Sequence, residues 1–239
     1  MSVELTIAGR YNGPPTTGNG GYSCGIIAKH IDGAAKARLN VPPPLKKPLA
    51  LEKADDGTLS LMDGNELVGF AVPSTLELEV PAPPSLEQAR AAQAFYMSAD
   101  DQIFATCFVC GLGREHDDGL CLQTGTVTQN NYQMLASSWL PPQDLLDDKG
   151  NVIPEIVWSA LDCPGFFAAC GEQLKHAVLG ELHGHILADV PGKEPLVVYS
   201  WPMGVDGRKL YAGVAIANQE GQVLAKAKTT WIVLKDSAA

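Results

Sequence analysis

The run from Trp158 to Cys170 carries a single charged side chain, Asp162. A segment this apolar reads as a helix buried on most of its circumference, within a longer helix from about Glu155 to Glu172. Pro164 is tolerated only in a first helical turn, where its missing N–H and its ring do no harm. Asp162 therefore falls at or near an N-cap, where a short acceptor meets unpaired backbone N–H groups. A carboxylate there gains from the helix dipole. A chain built on such an element must wrap other apolar surface around it.

The remainder of the 239 residues sets the surroundings. The length suits one large domain or two of about 120 residues. Hydrophobic residues make up 46% and charged residues 18%, which excludes general disorder. A formal net charge of −10 argues against a nucleic-acid surface, since the phosphate backbone would be repelled. No apolar run reaches the roughly 20 residues a membrane span needs. The first ten residues lack the basic and apolar regions of a signal peptide. Six cysteines in a chain of this length do not read as a small disulfide scaffold, so a reduced, cytoplasmic setting is expected.

Read in order, Val3 to Ile7 is a short strand, followed by the turn-rich stretch Arg10 to Gly21. An apolar helix, Tyr22 to Ile31, comes next. Gly20 and Gly21 before it allow close backbone approach to a ligand, with free helical N–H groups behind them. The plain alternative is a flexible turn capped by Asn19. Strands follow at Ala34 to Val41, Leu49 to Lys53, Thr58 to Met62 and Glu66 to Val72. Asp55-Asp56-Gly57 and Asp63-Gly64-Asn65 are the hairpin turns between the last three. Pro81 to Pro84 is a stiff spacer, and Ser85-Leu86-Glu87-Gln88 fits a capping box opening a connector helix. A second half begins near Phe104. Val127 to Trp139 is strand-like, the long apolar helix follows, and Val178 to Asp189, Leu196 to Trp201, Leu210 to Ala217 and Val223 to Leu234 are strands. Each half thus has a strand, a loop rich in Pro and Gly, one apolar helix and an antiparallel meander. This is a weak internal repeat of about 120 residues. The divisions expected are 1–84 and 104–239 for the repeats, with 85–103 as linker.

At this point the residues resemble a known family. The order of elements is similar to the hotdog fold, in which a curved antiparallel sheet wraps a central helix. Cys107-Phe108-Val109-Cys110-Gly111, followed by Gly119-Leu120, resembles the opening of phenylacetyl-CoA-type thioesterases. Gly213 to Ile232 resembles their last hairpin, and Asn19-Gly20-Gly21 resembles a His-Gly-Gly turn with Asn in place of His. The resemblance implies an α+β tandem double hotdog, with two antiparallel sheets each wrapping a helix and joined as an intrachain pseudo-dimer. It also implies hydrolysis of an acyl-CoA thioester, with acyl-CoA as substrate and no cofactor. In that reading Asp162 is the carboxylate that activates water. Gly20 and Gly21 are backbone donors to the developing oxyanion, an effect of roughly 3–4 kcal/mol per donor. The first half has Tyr22 and Ser23 where the second has Asp162 and Cys163, which suggests one competent site and one lapsed one. Thr229 and Thr230 are candidates to stand beside Asp162. Arg208, Lys209, Arg38 and Lys228 are candidates for the phosphates of CoA.

Other constellations compete. Cys107-x2-Cys110 with His116 and Cys121 invites a zinc reading, but the second pair lacks metal-ligand spacing, and no metal is expected. Cys163 at a helix start could be an activated thiol, though no His lies near it in sequence. A non-catalytic acyl-CoA or lipid-binding module and an acyl-thioester dehydratase are the rival functions. The dehydratase would want a His–acid pair near a helix start. A tandem chain can stand alone or form a homodimer through sheet edges.

Overall fold

The computed structural model describes residues 2–115, 117–129, 132–171 and 176–235. The first half comprises β1 (Ser2–Thr6), α1 (Gly20–Ala28), β2 (Ala35–Leu39), β3 (Pro48–Lys53), β4 (Leu59–Asp63) and β5 (Glu66–Pro73). The connector helix is α2 (Leu86–Ala92). The second half comprises β6 (Gly125–Gln129), β7 (Tyr132–Trp139), α3 (Pro154–Ala160), α4 (Cys163–Cys170), β8 (Ala177–Ile186), β9 (Leu196–Asp206), β10 (Lys209–Ala217) and β11 (Val223–Val233).

The hairpin turns close as the sequence predicts. Gly57 and Gly64 adopt φ of +86° and +58°, a region glycine enters without the steric cost other residues meet. Ser85 and Gln88 form the reciprocal capping box of α2, at 3.1 and 2.8 Å. Val127 to Trp139 is not one strand but the hairpin β6–β7.

All strands pair antiparallel, in the order β1-β3-β4-β5-β2-β8-β11-β10-β9-β7-β6. The order β1-β3-β4-β5-β2 recurs, with helices after the first strand, as β7-β9-β10-β11-β8. The sequence reading expects two sheets; the structure joins them into one of eleven strands. The join is the β2–β8 ladder, which pairs Ala35 with Gly184, Lys36 with His183, Ala37 with Leu182 and Arg38 with Glu181. Each of these strands would otherwise present a row of unpaired N–H and C=O groups.

Side chains alternate across the sheet, so β10 feeds two cores. Val214 and Ile216 point to the side that holds α1, α3 and α4, where Ile27, Leu61, Ile156 and Leu182 also meet. Ala215 and Ala217 point to the far side, where Ala89 and Ala92 of α2 pack on Met134, Tyr199 and Trp201. Covered on both faces, Leu196 to Trp201 is buried at every position, which explains a run whose one polar member is Ser200.

The long helix expected from Glu155 to Glu172 is two helices; Glu172 itself lies outside the described residues. The break falls at Leu161 and Asp162, where Asp162 has ψ of −85°. Pro164 is the cause: it cannot donate to the carbonyl four residues back, and its ring would collide with it. α1 then packs directly on α3. A Cβ at Gly21 would lie 2.5 Å from Asp162 Cβ and 2.7 Å from the Trp158 carbonyl oxygen. One at Gly25 would lie 2.7 Å from Glu155 Cα. Gly21, one of the two glycines expected to admit a ligand, therefore admits a helix. Lys29 at the end of α1 adds an ion pair to Glu155 at 2.8 Å.

Candidate functional site

The helix break places Asp162 at the N-cap position of α4, yet its side chain makes no cap bond there. It turns instead to the start of α1. Its Oδ2 accepts from the Gly21 N–H at 2.9 Å and from the Asn19 side-chain amide at 2.8 Å. Asn19 is in turn fixed as the N-cap of α1: its Oδ1 accepts from the Tyr22 N–H at 2.9 Å. The dipole that the carboxylate meets is thus that of α1, not of its own helix.

The other oxygen, Asp162 Oδ1, is buried without a hydrogen-bond partner. The residue as a whole is 1% exposed. Burial pushes its carboxyl up to about 7, against the lowering pull of the Gly21 N–H and the Asn19 amide. An acid that stays half-protonated near neutrality, with one oxygen held and the other unengaged, has the form of a general base.

The structure brings Asn19, Gly20, Gly21 and Asp162 together across the two halves. It also reassigns one of them: the Gly21 N–H binds Asp162 and so is not a donor to a substrate carbonyl. Gly20 lies beside the carboxylate under Leu179, whose Cδ2 would be 2.9 Å from a Cβ at Gly20. Thr229 faces the helices and is fully buried. Its hydroxyl donates to the Ala212 carbonyl at 3.3 Å and accepts from the Trp231 indole at 3.1 Å. A Cβ on Gly165, in the first turn of α4, would come within 2.6 Å of that hydroxyl. Thr230, one residue on, takes the opposite face by alternation.

The basic candidates do not gather at Asp162. Arg38 is exposed and faces Glu181 of the neighbouring strand at 3.7 Å. Lys228 lies over the Tyr211 ring, 5.1 Å from its centroid. Both stand on the far side of the sheet from Thr229. Arg208 and Lys209 are exposed at the β9–β10 turn, where Arg208 donates to the Val233 carbonyl. Spacing along one strand separates the two faces but does not tell which of them the helices cover, since that depends on other strands and elements.

Sequence reasoning missed one grouping. Cys107 and Cys110 are joined not by Cys121 but by Cys163, the residue after Asp162. Cys121 points away, toward the carbonyl oxygens of Arg114 and Glu115. His116 lies outside the described residues. A separate cleft of about 760 Å³ is lined by residues including Tyr96, Met97, Leu135 and Phe167, and Asp162 does not line it.

No protein-family model and no curated protein sequence matches the chain. Solved structures do. The TesB protein of Mycobacterium avium subspecies paratuberculosis superposes with a TM-score of 0.64 at 11% identity, over 98% of this chain and 93% of that one. Acyl-CoA thioesterase II TesB2 of Mycobacterium marinum gives 0.64 at 10% identity, over 100% and 94%. A conserved protein of unknown function with a hotdog fold from Alicyclobacillus acidocaldarius gives 0.64 at 13% identity, over 98% and 93%. At such identities it is the architecture that is shared: this chain is an α+β protein with the hotdog fold.

Proposed function

We propose that the chain is an acyl-CoA thioester hydrolase built as a tandem double hotdog, with residues 1–84 and 104–239 as the repeats and 85–103 between them. The recurring strand order supports the duplication, and the name of one structural neighbour, acyl-CoA thioesterase II TesB2, supports the substrate class. The observation that carries the mechanism is the carboxylate of Asp162, with Oδ2 held by Asn19 and Gly21 and Oδ1 unengaged.

In this reading Oδ1 takes a proton from water as the water attacks the thioester carbonyl. The tetrahedral intermediate then expels the CoA thiolate, which leaves with that proton. Asn19 and Gly21 position the base. Gly20, at the first position of α1, has no intrahelical acceptor for its N–H and serves as the donor to the oxyanion. Thr229 closes the α4 side of the site. Asp162 is closed to solvent, so the acyl group enters by displacing a cover; Leu179, which lies on Gly20, is that cover. Arg208 and Lys209, at the β9–β10 turn, remain the proposed contacts for the CoA portion, whereas Arg38, Lys228 and Thr230 stand on the face away from Asp162 and drop out of that role; the first half carries the lapsed site. The substrate is a small-molecule acyl thioester; a homodimer through the sheet edges fits this reading.

The test is thiol release from short, long and aromatic acyl-CoAs by wild type and by Asp162→Asn. Loss of a general base costs about 10²–10⁴-fold in rate. Full activity in Asp162→Asn ends the mechanism. Calorimetric binding of acyl-CoA by wild type without turnover turns the assignment to a binding module.

A further inference from the structure

The cysteines at the break between α3 and α4 adjoin Asp162 and share the Asn19 amide with it, yet the hydrolytic step proposed above uses none of them. Cys107, Cys110 and Cys163 are all buried, and their Sγ atoms lie within 4.8 Å of one another. None is in a disulfide. The Cys107 and Cys163 sulfurs are 3.7 Å apart. That is far beyond the roughly 2.05 Å of a disulfide bond. It is close to the edge of a tetrahedron whose centre lies about 2.3 Å from each corner, which is about 3.8 Å, the geometry of zinc held by thiolates.

The backbone is shaped for the same purpose. Cys107 to Gly111 forms a tight turn in which the Gly111 N–H donates to the Cys107 carbonyl at 2.9 Å. A Cβ at Gly111 would lie 2.4 Å from the Ala105 carbonyl oxygen, so only glycine fits. Cys163 has a donor, the Asn19 amide at 3.9 Å, and outer-shell bonds of this kind orient and tune metal ligands.

We infer that Cys107, Cys110 and Cys163 form a binding site for a zinc-class divalent cation. The three thiols lose their protons to solvent as three sulfur–metal bonds form, giving a three-thiolate complex of net charge −1. Among the described residues no His or carboxylate joins the set, and three thiolates leave one tetrahedral position for a further ligand. The metal ties the loop after the connector to the first residue of α4, a contact bridging 56 positions of sequence. The inference is independent of the hydrolase reading, since it concerns binding and not turnover.

The experiment uses the full chain, reduced and freed of metal with a chelator, then titrated with Co²⁺ under anaerobic conditions. The expected result is one equivalent bound, with intense sulfur-to-cobalt charge-transfer bands and tetrahedral d–d bands that Zn²⁺ abolishes. Cys110→Ser should weaken binding by at least the roughly 10–100-fold that losing an outer-shell partner costs. Cys121→Ser, whose sulfur lies outside the cluster, should leave the spectrum intact. Absence of thiolate-to-cobalt bands in wild type overturns the site, whatever the variants do. So does an unchanged spectrum in Cys110→Ser, equal loss in Cys121→Ser, or a Cys107–Cys163 disulfide in unreduced protein by mass spectrometry.

Discussion

Asp162 does a structural task and offers a chemical one. Its Oδ2 accepts from two buried donors, the Gly21 N–H and the Asn19 amide. Asp162→Ala would leave the Gly21 N–H buried and unpaired, at about 1–3 kcal/mol. Asp162→Asn keeps an oxygen for Gly21. The alanine variant should therefore be less stable than the asparagine variant by about 1–3 kcal/mol, read from urea unfolding midpoints. Equal midpoints would remove the capping role. The sequence reading located the residue correctly at a helix start, because Pro164 permits few other placements. It assigned the wrong helix, since nothing local to Asp162 tells which set of free N–H groups lies across the fold. Cys163 was hidden for the same reason. Its partners are 56 residues away, and adjacency to Asp162 drew attention to a nucleophile rather than to a third sulfur.

Among the elements, the contact of α1 with α3 sets the geometry of everything else. Gly21 and Gly25 are one turn apart and both face α3, so the helix backbones nearly touch. Gly25→Ala is the sharper probe, because the atom it would strike is the Glu155 Cα, which cannot rotate away. Overpacking of this kind costs about 1–3 kcal/mol, and separation of the helices would also pull Gly21 off Asp162. Gly25→Ala is expected to lose both stability and activity, while Gly33→Asn, where a Cβ meets nothing but φ is +80°, should carry backbone strain alone and leave activity intact. A Gly25→Ala protein as active and as stable as wild type would contradict this packing. Hairpins and the capping box were readable from local chemistry: Asp-Asp-Gly, Asp-Gly-Asn and Ser-x-x-Gln each fix their own backbone. The split of the α3–α4 segment was signalled by Pro164 yet masked by a hydrophobic run that continues through it.

For the whole molecule, periodicity indicated most strands, and the recurrence of their order was legible as a repeat. Which edges meet was not, because register across β2–β8 depends on residues 150 positions apart rather than on any neighbour. The far-side helix α2 accounts for a further surprise: β9 runs on to Asp206 past the apolar stretch that made it visible, ending exposed beyond the cover.

The carboxylate comes from one half and its two hydrogen-bond donors from the other, and the halves are also joined by the β2–β8 ladder with its Arg38–Glu181 ion pair. The path between β5 and α2, residues 74–85, contains no helix or strand. A nick there would sever one covalent link and none of the contacts that assemble Asp162. Two separately encoded polypeptides, meeting at residue 80, should thus find each other when co-expressed and regain thiol release that neither displays by itself. Pieces that remain apart on size-exclusion chromatography would mean that tethering, not complementarity of surfaces, keeps the halves in place.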